Sequence, residues 1–162
     1  MAKMRRDGTN IPNIGEGRRG LEGYLLYLLR QASTAAQQAV DRTLADLGLS
    51  LAQYSALTMI NSYTDLSSAD LARLSMLTPQ SAHEVVQRLD TRGLVSKTLS
   101  RENKRIHRLQ LTDDGRSLLT EARERSERVE MVLREEAASI NEAELRKWLV
   151  AVAGRLELEG RH

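Results

Sequence analysis

Ser67-Ser68-Ala69-Asp70-Leu71-Ala72-Arg73-Leu74-Ser75-Met76-Leu77-Thr78-Pro79-Gln80-Ser81-Ala82-His83-Glu84-Val85-Val86-Gln87-Arg88-Leu89 holds two helices and the turn between them. Ser67 is a good N-cap, because its hydroxyl can satisfy an N–H that the first helical turn leaves orphaned. The spacing predicts a short helix from Ser68 to Ser75 that buries Leu71 and Leu74, with Ala69 and Ala72 keeping its flank slim. Met76 to Pro79 reads as a turn. Thr78 caps the next helix, and Pro79 stands where a missing N–H costs nothing. That helix runs to about Arg92, buries Ala82, Val85, Val86 and Leu89, and stops at Gly93. Its polar side carries Gln80, Ser81, His83, Glu84, Gln87 and Arg88.

Downstream, Leu94 to Leu99 and Ile106 to Leu111 alternate like strands, placing Leu109 and Leu111 on one face with His107. The polar stretch from Ser100 to Arg105 joins them, so the segment reads as a hairpin with a charged tip. Thr112 caps a long charged helix, with Asp113 and Asp114 in its positive first turn. Leu118, Ala122, Val129, Val132 and Leu133 give that helix one apolar side. Asn141 caps a last helix whose Leu145, Trp148, Leu149, Val152 and Leu156 are expected to form a buried face. Upstream, Ser50-Leu51-Ala52-Gln53 is a capping box that opens a helix to about Ser62. Leu21 to Leu47 is a long helix with a broad apolar stripe, ended by Gly48. Residues 1–20 hold four glycines, one proline and five Lys or Arg, and read as a flexible basic arm.

The chain has 162 residues and a net charge of +2, so the position of charge matters more than its sum. Between Ser96 and Arg108, five cations (Lys97, Arg101, Lys104, Arg105, Arg108) face one acid, Glu102. There is no cysteine, which excludes disulfides and thiolate metal sites. His83, His107 and His162 make no metal-binding spacing. No apolar run approaches the ~20 residues of a membrane span. Neither a nucleophile motif nor a glycine-rich phosphate loop is present, so no enzyme, cofactor or metal site is expected.

Two short helices and a tight turn, followed by a hairpin with a basic tip, make a winged helix-turn-helix. In such a unit the second helix enters the major groove of double-stranded DNA with its N-terminal residues at the base edges. Thr78, Pro79, Gln80, Ser81, His83, Gln87 and Arg88 are the candidate contacts on that helix. Arg101, Lys104 and Arg105 are the candidates in the hairpin. Gln can read adenine through two hydrogen bonds, and Arg supplies salt-sensitive attraction to phosphate. Each feature alone has a plain structural reading, as a solvated loop or first-turn residues; their joint order carries the inference. The alternative is a winged-helix module used for protein–protein assembly, against which the basic hairpin argues.

Asp70-Leu71-Ala72-Arg73, Leu77-Thr78-Pro79-Gln80-Ser81 and Val86-Gln87-Arg88-Leu89-Asp90-Thr91-Arg92-Gly93-Leu94-Val95 together resemble the multiple antibiotic resistance regulator (MarR) family. The likeness continues through Asn103-Lys104-Arg105 and Leu109-Gln110-Leu111-Thr112-Asp113-Asp114-Gly115. The resemblance implies a mainly α fold with a small β-hairpin wing. Residues 50–112 would form the DNA-binding domain, and residues 21–48 and 113–158 would form a dimerisation domain. It implies a cytoplasmic homodimer on a pseudo-palindromic site, with Leu21, Leu25, Leu28, Trp148, Leu149 and Val152 in the interface. It further implies repression relieved by small molecules, often aromatic acids or phenols. Tyr24, Tyr27, Arg30, Tyr54 and Met59 are the candidate lining of that ligand's pocket. Two departures stand out. Asn103 replaces the family's usual Asp in the wing. Glu84 stands where a basic or small polar residue is common, and its i,i+4 spacing predicts an ion pair with Arg88.

Overall fold

The computed structural model describes residues 12–99 and 107–159. Six α-helices and a two-stranded antiparallel sheet follow one another in the order α1 (Leu25–Leu44), α2 (Leu51–Ser62), α3 (Ser68–Leu74), α4 (Pro79–Thr91), β1 (Val95–Leu99), β2 (His107–Leu111), α5 (Asp113–Ala138) and α6 (Glu142–Glu159). The chain divides within α1 into two compact units, one up to Ala39 and one from Val40 onward.

In the first unit, the long helix begins at Leu25 and not at Leu21 as its apolar spacing predicts. The preceding chain folds back in a tight turn. A Cβ on Gly23 would lie 2.5 Å from the Arg18 carbonyl oxygen, so the turn needs a glycine there. Residues 12–20, which read as arm, carry a 3-10 turn at Gly17–Arg19. The Arg19 guanidinium donates to the Pro12 carbonyl at 2.9 Å and to Gln31 Oε1 at 3.1 Å. Ile14, Leu21, Leu25 and Leu26 are exposed.

The second unit holds the core. Leu44, Leu57, Leu71, Val86, Leu89, Val95, Leu109 and Leu119 are almost wholly buried and form its centre. Local signals place its elements as their chemistry requires. Both oxygens of the Ser50–Gln53 capping box are engaged, and so are those of a second box between Ser67 and Asp70. Thr78 Oγ1 accepts from the Ser81 N–H at 3.1 Å, with Pro79 at the first helical position. Gly93 adopts φ 67°, and its N–H returns to the Asp90 carbonyl at 2.8 Å to end α4.

Strands β1 and β2 pair from Val95 opposite Leu111 to Leu99 opposite His107. Leu109 N–H also donates to the Leu66 carbonyl at 2.8 Å, which ties the hairpin to the chain just before α3. Its tip, residues 100–106, lies outside the described residues.

Two expected burials fail. Leu74 is exposed at the end of α3, because that helix is too short to carry its last turn into the core. The apolar stripe of α6 is not covered either: Trp148 is 45% and Leu149 42% exposed, Leu156 is exposed, and only Leu145 and Val152 are half-buried. Met131, Val132 and Leu133 on α5 are exposed as well. Periodicity identifies an apolar stripe but not the chain that covers it.

Candidate nucleic-acid interface

Helix α4 is built with two unlike faces. Ala82, Val86 and Leu89 are buried in the core. Pro79, Gln80, His83, Glu84, Gln87, Arg88 and Thr91 are exposed. This split follows from helical spacing, since residues three and four apart share a face. Anchoring one side to the core holds the other in a fixed orientation.

The helix start is locally organised. The Thr78 and Ser81 hydroxyls lie 2.8 Å apart, so Ser81 is drawn into the cap while Gln80 and His83 stay exposed. Glu84 accepts from Gln80 Nε2 at 3.3 Å. The expected pair of Glu84 with Arg88 does not form. The neutral amide one turn earlier takes the carboxylate, and Arg88 makes no hydrogen bond or ion pair among the described residues. Met76, in the turn between α3 and α4, has φ 51°, a left-handed conformation rare for a residue with a side chain.

Not every cation near the hairpin is available to a partner. Lys97 Nζ lies 2.7 Å from Asp90 Oδ2, closing β1 onto the end of α4. Arg108 donates to the Asp65 carbonyl and lies 3.8 Å from Asp70 Oδ2. These two therefore fasten the hairpin root to α3 and α4. Arg101, Lys104 and Arg105 lie outside the described residues.

The Asp70 carboxylate is held well below the ordinary pKa of its kind. The Ser67 hydroxyl (2.6 Å) and Ser67 N–H (3.0 Å) donate to its carboxylate, and Arg73 adds a charged partner. Together they hold its pKa at about 2, below the ordinary 3.8, with the Ser67 hydroxyl the largest cause. A depressed folded pKa gives stability that is present above pH ~4 and lost as pH falls through about 2. Asp70→Asn is expected to cost about 1 kcal/mol at pH 7, since nearly a third of the side chain is solvated. Urea titrations should show the gap between the two proteins closing between pH 4 and 2. A gap independent of pH would remove the ionised carboxylate from the cap.

The candidate pocket residues belong to both units. Tyr24 and Tyr27 are exposed in the first unit and share a shallow recess of about 350 Å³ with Arg18, whose guanidinium sits 5.5 Å over the Tyr24 ring. Arg30 is exposed nearby in sequence. In the second unit, Tyr54 and Met59 pack half-buried against the core. Tyr54 and Ser126 hydroxyls are 3.0 Å apart, and Ser126 Oγ is 3.1 Å from the Arg123 carbonyl. The Ser126 hydroxyl is the donor and has two acceptors within reach, the Tyr54 oxygen and the Arg123 carbonyl. Tyr54 thus links α2 to α5. Arg18 carried no sequence signal, because nothing in its spacing announces an aromatic neighbour.

A core-anchored helix with a polar outer face, preceded by a short helix and followed by a hairpin, defines a winged helix-turn-helix of the kind that regulates transcription. The MarR family model matches residues 47–106. The chain is 35% identical to the HTH-type transcriptional repressor Rv2887 of Mycobacterium tuberculosis over 100 residues, covering 62% of this chain and 70% of that protein. The chain belongs to the MarR family. Its fold is similar to that of the transcriptional repressor CouR bound to a 23-mer DNA duplex, with TM-score 0.76, 26% identity, 85% of this chain and 98% of CouR covered. It is also similar to Rv2887 in complex with p-aminosalicylic acid, with TM-score 0.64, 27% identity, 81% of this chain and 99% of that one covered. Among the described residues no helix is long and apolar enough to cross a membrane.

Proposed function

We propose that this chain is a cytoplasmic, nucleoid-associated homodimeric repressor that reads a pseudo-palindromic operator through α4 and the hairpin. The observation that carries this reading is the division of α4 into a core-locked face and an exposed polar face headed by Gln80 and His83. Thr78, Pro79, Gln80, Ser81, His83 and Gln87 form the reading surface, and Arg88, Arg101, Lys104 and Arg105 attract phosphate. The similarity to a repressor bound to duplex DNA supports it. Gln80→Ala is expected to cost about 1–3 kcal/mol on the preferred site and little on random duplex, measured by fluorescence anisotropy. An equal loss on both would make Gln80 a positioning residue.

Residues 113–158, with Leu21, Leu25 and Leu28, supply the dimer surface in this account. The exposed Trp148 and Leu149, with half-buried Val152 beside them, support it, because an exposed apolar patch marks an interaction surface. Trp148→Ala should weaken the dimer by about 2 kcal/mol in sedimentation equilibrium. A dimer of unchanged strength would place Trp148 outside the interface.

A small aromatic acid is the proposed inducer, supported by the relative that binds p-aminosalicylic acid. The Arg18–Tyr24–Tyr27 recess has the matching chemistry: a cation for the carboxylate and rings for the aromatic body.

A further inference from the structure

The exposed strip of α4 continues beyond its reading end. Near its last turn, Gln87, Arg88, Thr91 and Arg92 close a recess of about 470 Å³ with Gly48 and Gln53. No carboxylate lines it. Gln53 is nine-tenths buried. Its Oε1 accepts from the Ser50 N–H at 2.9 Å, and its own N–H donates to Ser50 Oγ at 3.3 Å. Fixing the oxygen fixes the amide plane. Gln53 Nε2 then has two donors and no hydrogen-bond partner among the described residues. Because Gln53 lines the recess, those donors are offered to an acceptor that enters it.

Two guanidinium groups share the recess. Arg88 is exposed, with no partner among the described residues. Arg92 donates to the Gly48 carbonyl at 2.7 Å and the Leu47 carbonyl at 3.0 Å. Those bonds hold its charge at the recess wall and leave its other N–H groups. Amide donors and guanidinium groups without an acid make a seat for an oxyanion.

We propose that the recess seats a DNA backbone phosphate, held by Gln53 Nε2 and Arg88 within the field of Arg92. The proposal rests on the DNA-reading function above and adds Gln53 of α2 as a contact beyond α4 and the hairpin. Gln80, Glu84 and Arg88 follow at four-residue spacing, so Arg88 lies on the strip that Gln80 begins, about 12 Å along the axis. A helix that enters the groove at its N-terminus carries its later turns toward the groove wall, where the phosphates run.

Gln53→Glu tests this in the full chain. A glutamate still accepts from the Ser50 N–H, so the capping box and the fold persist. Its carboxylate replaces two donors with a charge that repels phosphate. Arg88→Gln is the second variant and leaves the box untouched. Each should melt like the wild type and bind a wild-type-selected duplex roughly 10- to 100-fold more weakly. The slope of log affinity against log salt should fall by about one for each lost phosphate. Duplexes carrying a single neutral methylphosphonate should reveal one position per half-site that weakens the wild type and leaves Gln53→Glu unaffected.

Folded Gln53→Glu and Arg88→Gln proteins that bind like the wild type would overturn the recess alone. So would equal sensitivity of wild type and Gln53→Glu at every methylphosphonate position. A free carboxylate such as benzoate that moves the Gln53 side-chain amide resonances, while duplex leaves them unmoved, would assign the recess to a free anion and sink the proposal. A wild type that binds no duplex at all would overturn the DNA-reading function with it.

Discussion

Gly115→Ala is expected to destabilise the protein by about 2–4 kcal/mol, although alanine is the better helix former by about 1 kcal/mol. Gly115 is buried in the first turn of α5. A Cβ there would sit 2.0 Å from the Leu94 carbonyl oxygen and 3.0 Å from its carbon. Both are backbone atoms of the corner between α4 and β1, and they cannot swing aside. The corner is already fastened. Thr112 N–H donates to the same Leu94 oxygen at 3.1 Å, Thr112 Oγ1 donates to the Gly93 carbonyl at 2.7 Å, and Gly115 N–H caps onto Thr112 Oγ1 at 3.0 Å. Relieving the overlap means breaking this suture. At roughly 2–4 °C per kcal/mol, the melting temperature should drop by about 5–15 °C. Gly154, in α6 with open space around it, is the matched control, and alanine there should be neutral or stabilising. A Gly115→Ala protein as stable as the wild type would show that α5 does not start against Leu94.

Leu89→Ala should cost about 2–5 kcal/mol, read as a lower urea midpoint with unchanged slope. Leu89 is wholly buried and sits in the cluster with Leu57, Leu71, Val95 and Leu109. It lies on the inner side of α4, so the cavity loosens the helix that carries Gln80 and His83. Operator affinity should fall with stability, and both should be largely restored in Leu89→Met, which conserves volume. A loss below about 1 kcal/mol would mean that α4 is not seated on this core.

Ser50, Ser67, Thr78 with Pro79, Gly93 and Thr112 punctuate the chain where elements begin or end, and each does so through bonds to residues within a few positions. Local chemistry of that kind is written in the sequence. Links over long separations are not. Arg92 to the Leu47 and Gly48 carbonyls and Arg108 to Asp65 each span more than forty residues. From sequence, Arg108 looked like one more cation of a basic hairpin, and it is instead a fastener of the hairpin root. The spacing of Glu84 pointed to Arg88, but Gln80 stands four residues away on the other side and takes the carboxylate instead. The α6 stripe was legible as apolar from its periodicity, but only the family resemblance pointed to a second copy opposite it, because periodicity carries no information about which chain lies there.

The central claim is that this chain reads DNA sequence as a two-fold dimer, and selection from a random duplex library at two salt concentrations tests it most directly. Enrichment of a pseudo-palindrome whose half-sites lie about one helical turn apart, retained at the higher salt, is the predicted result. Binding that vanishes as salt rises, with no sequence enriched, would contradict it and leave only non-specific attraction to phosphate.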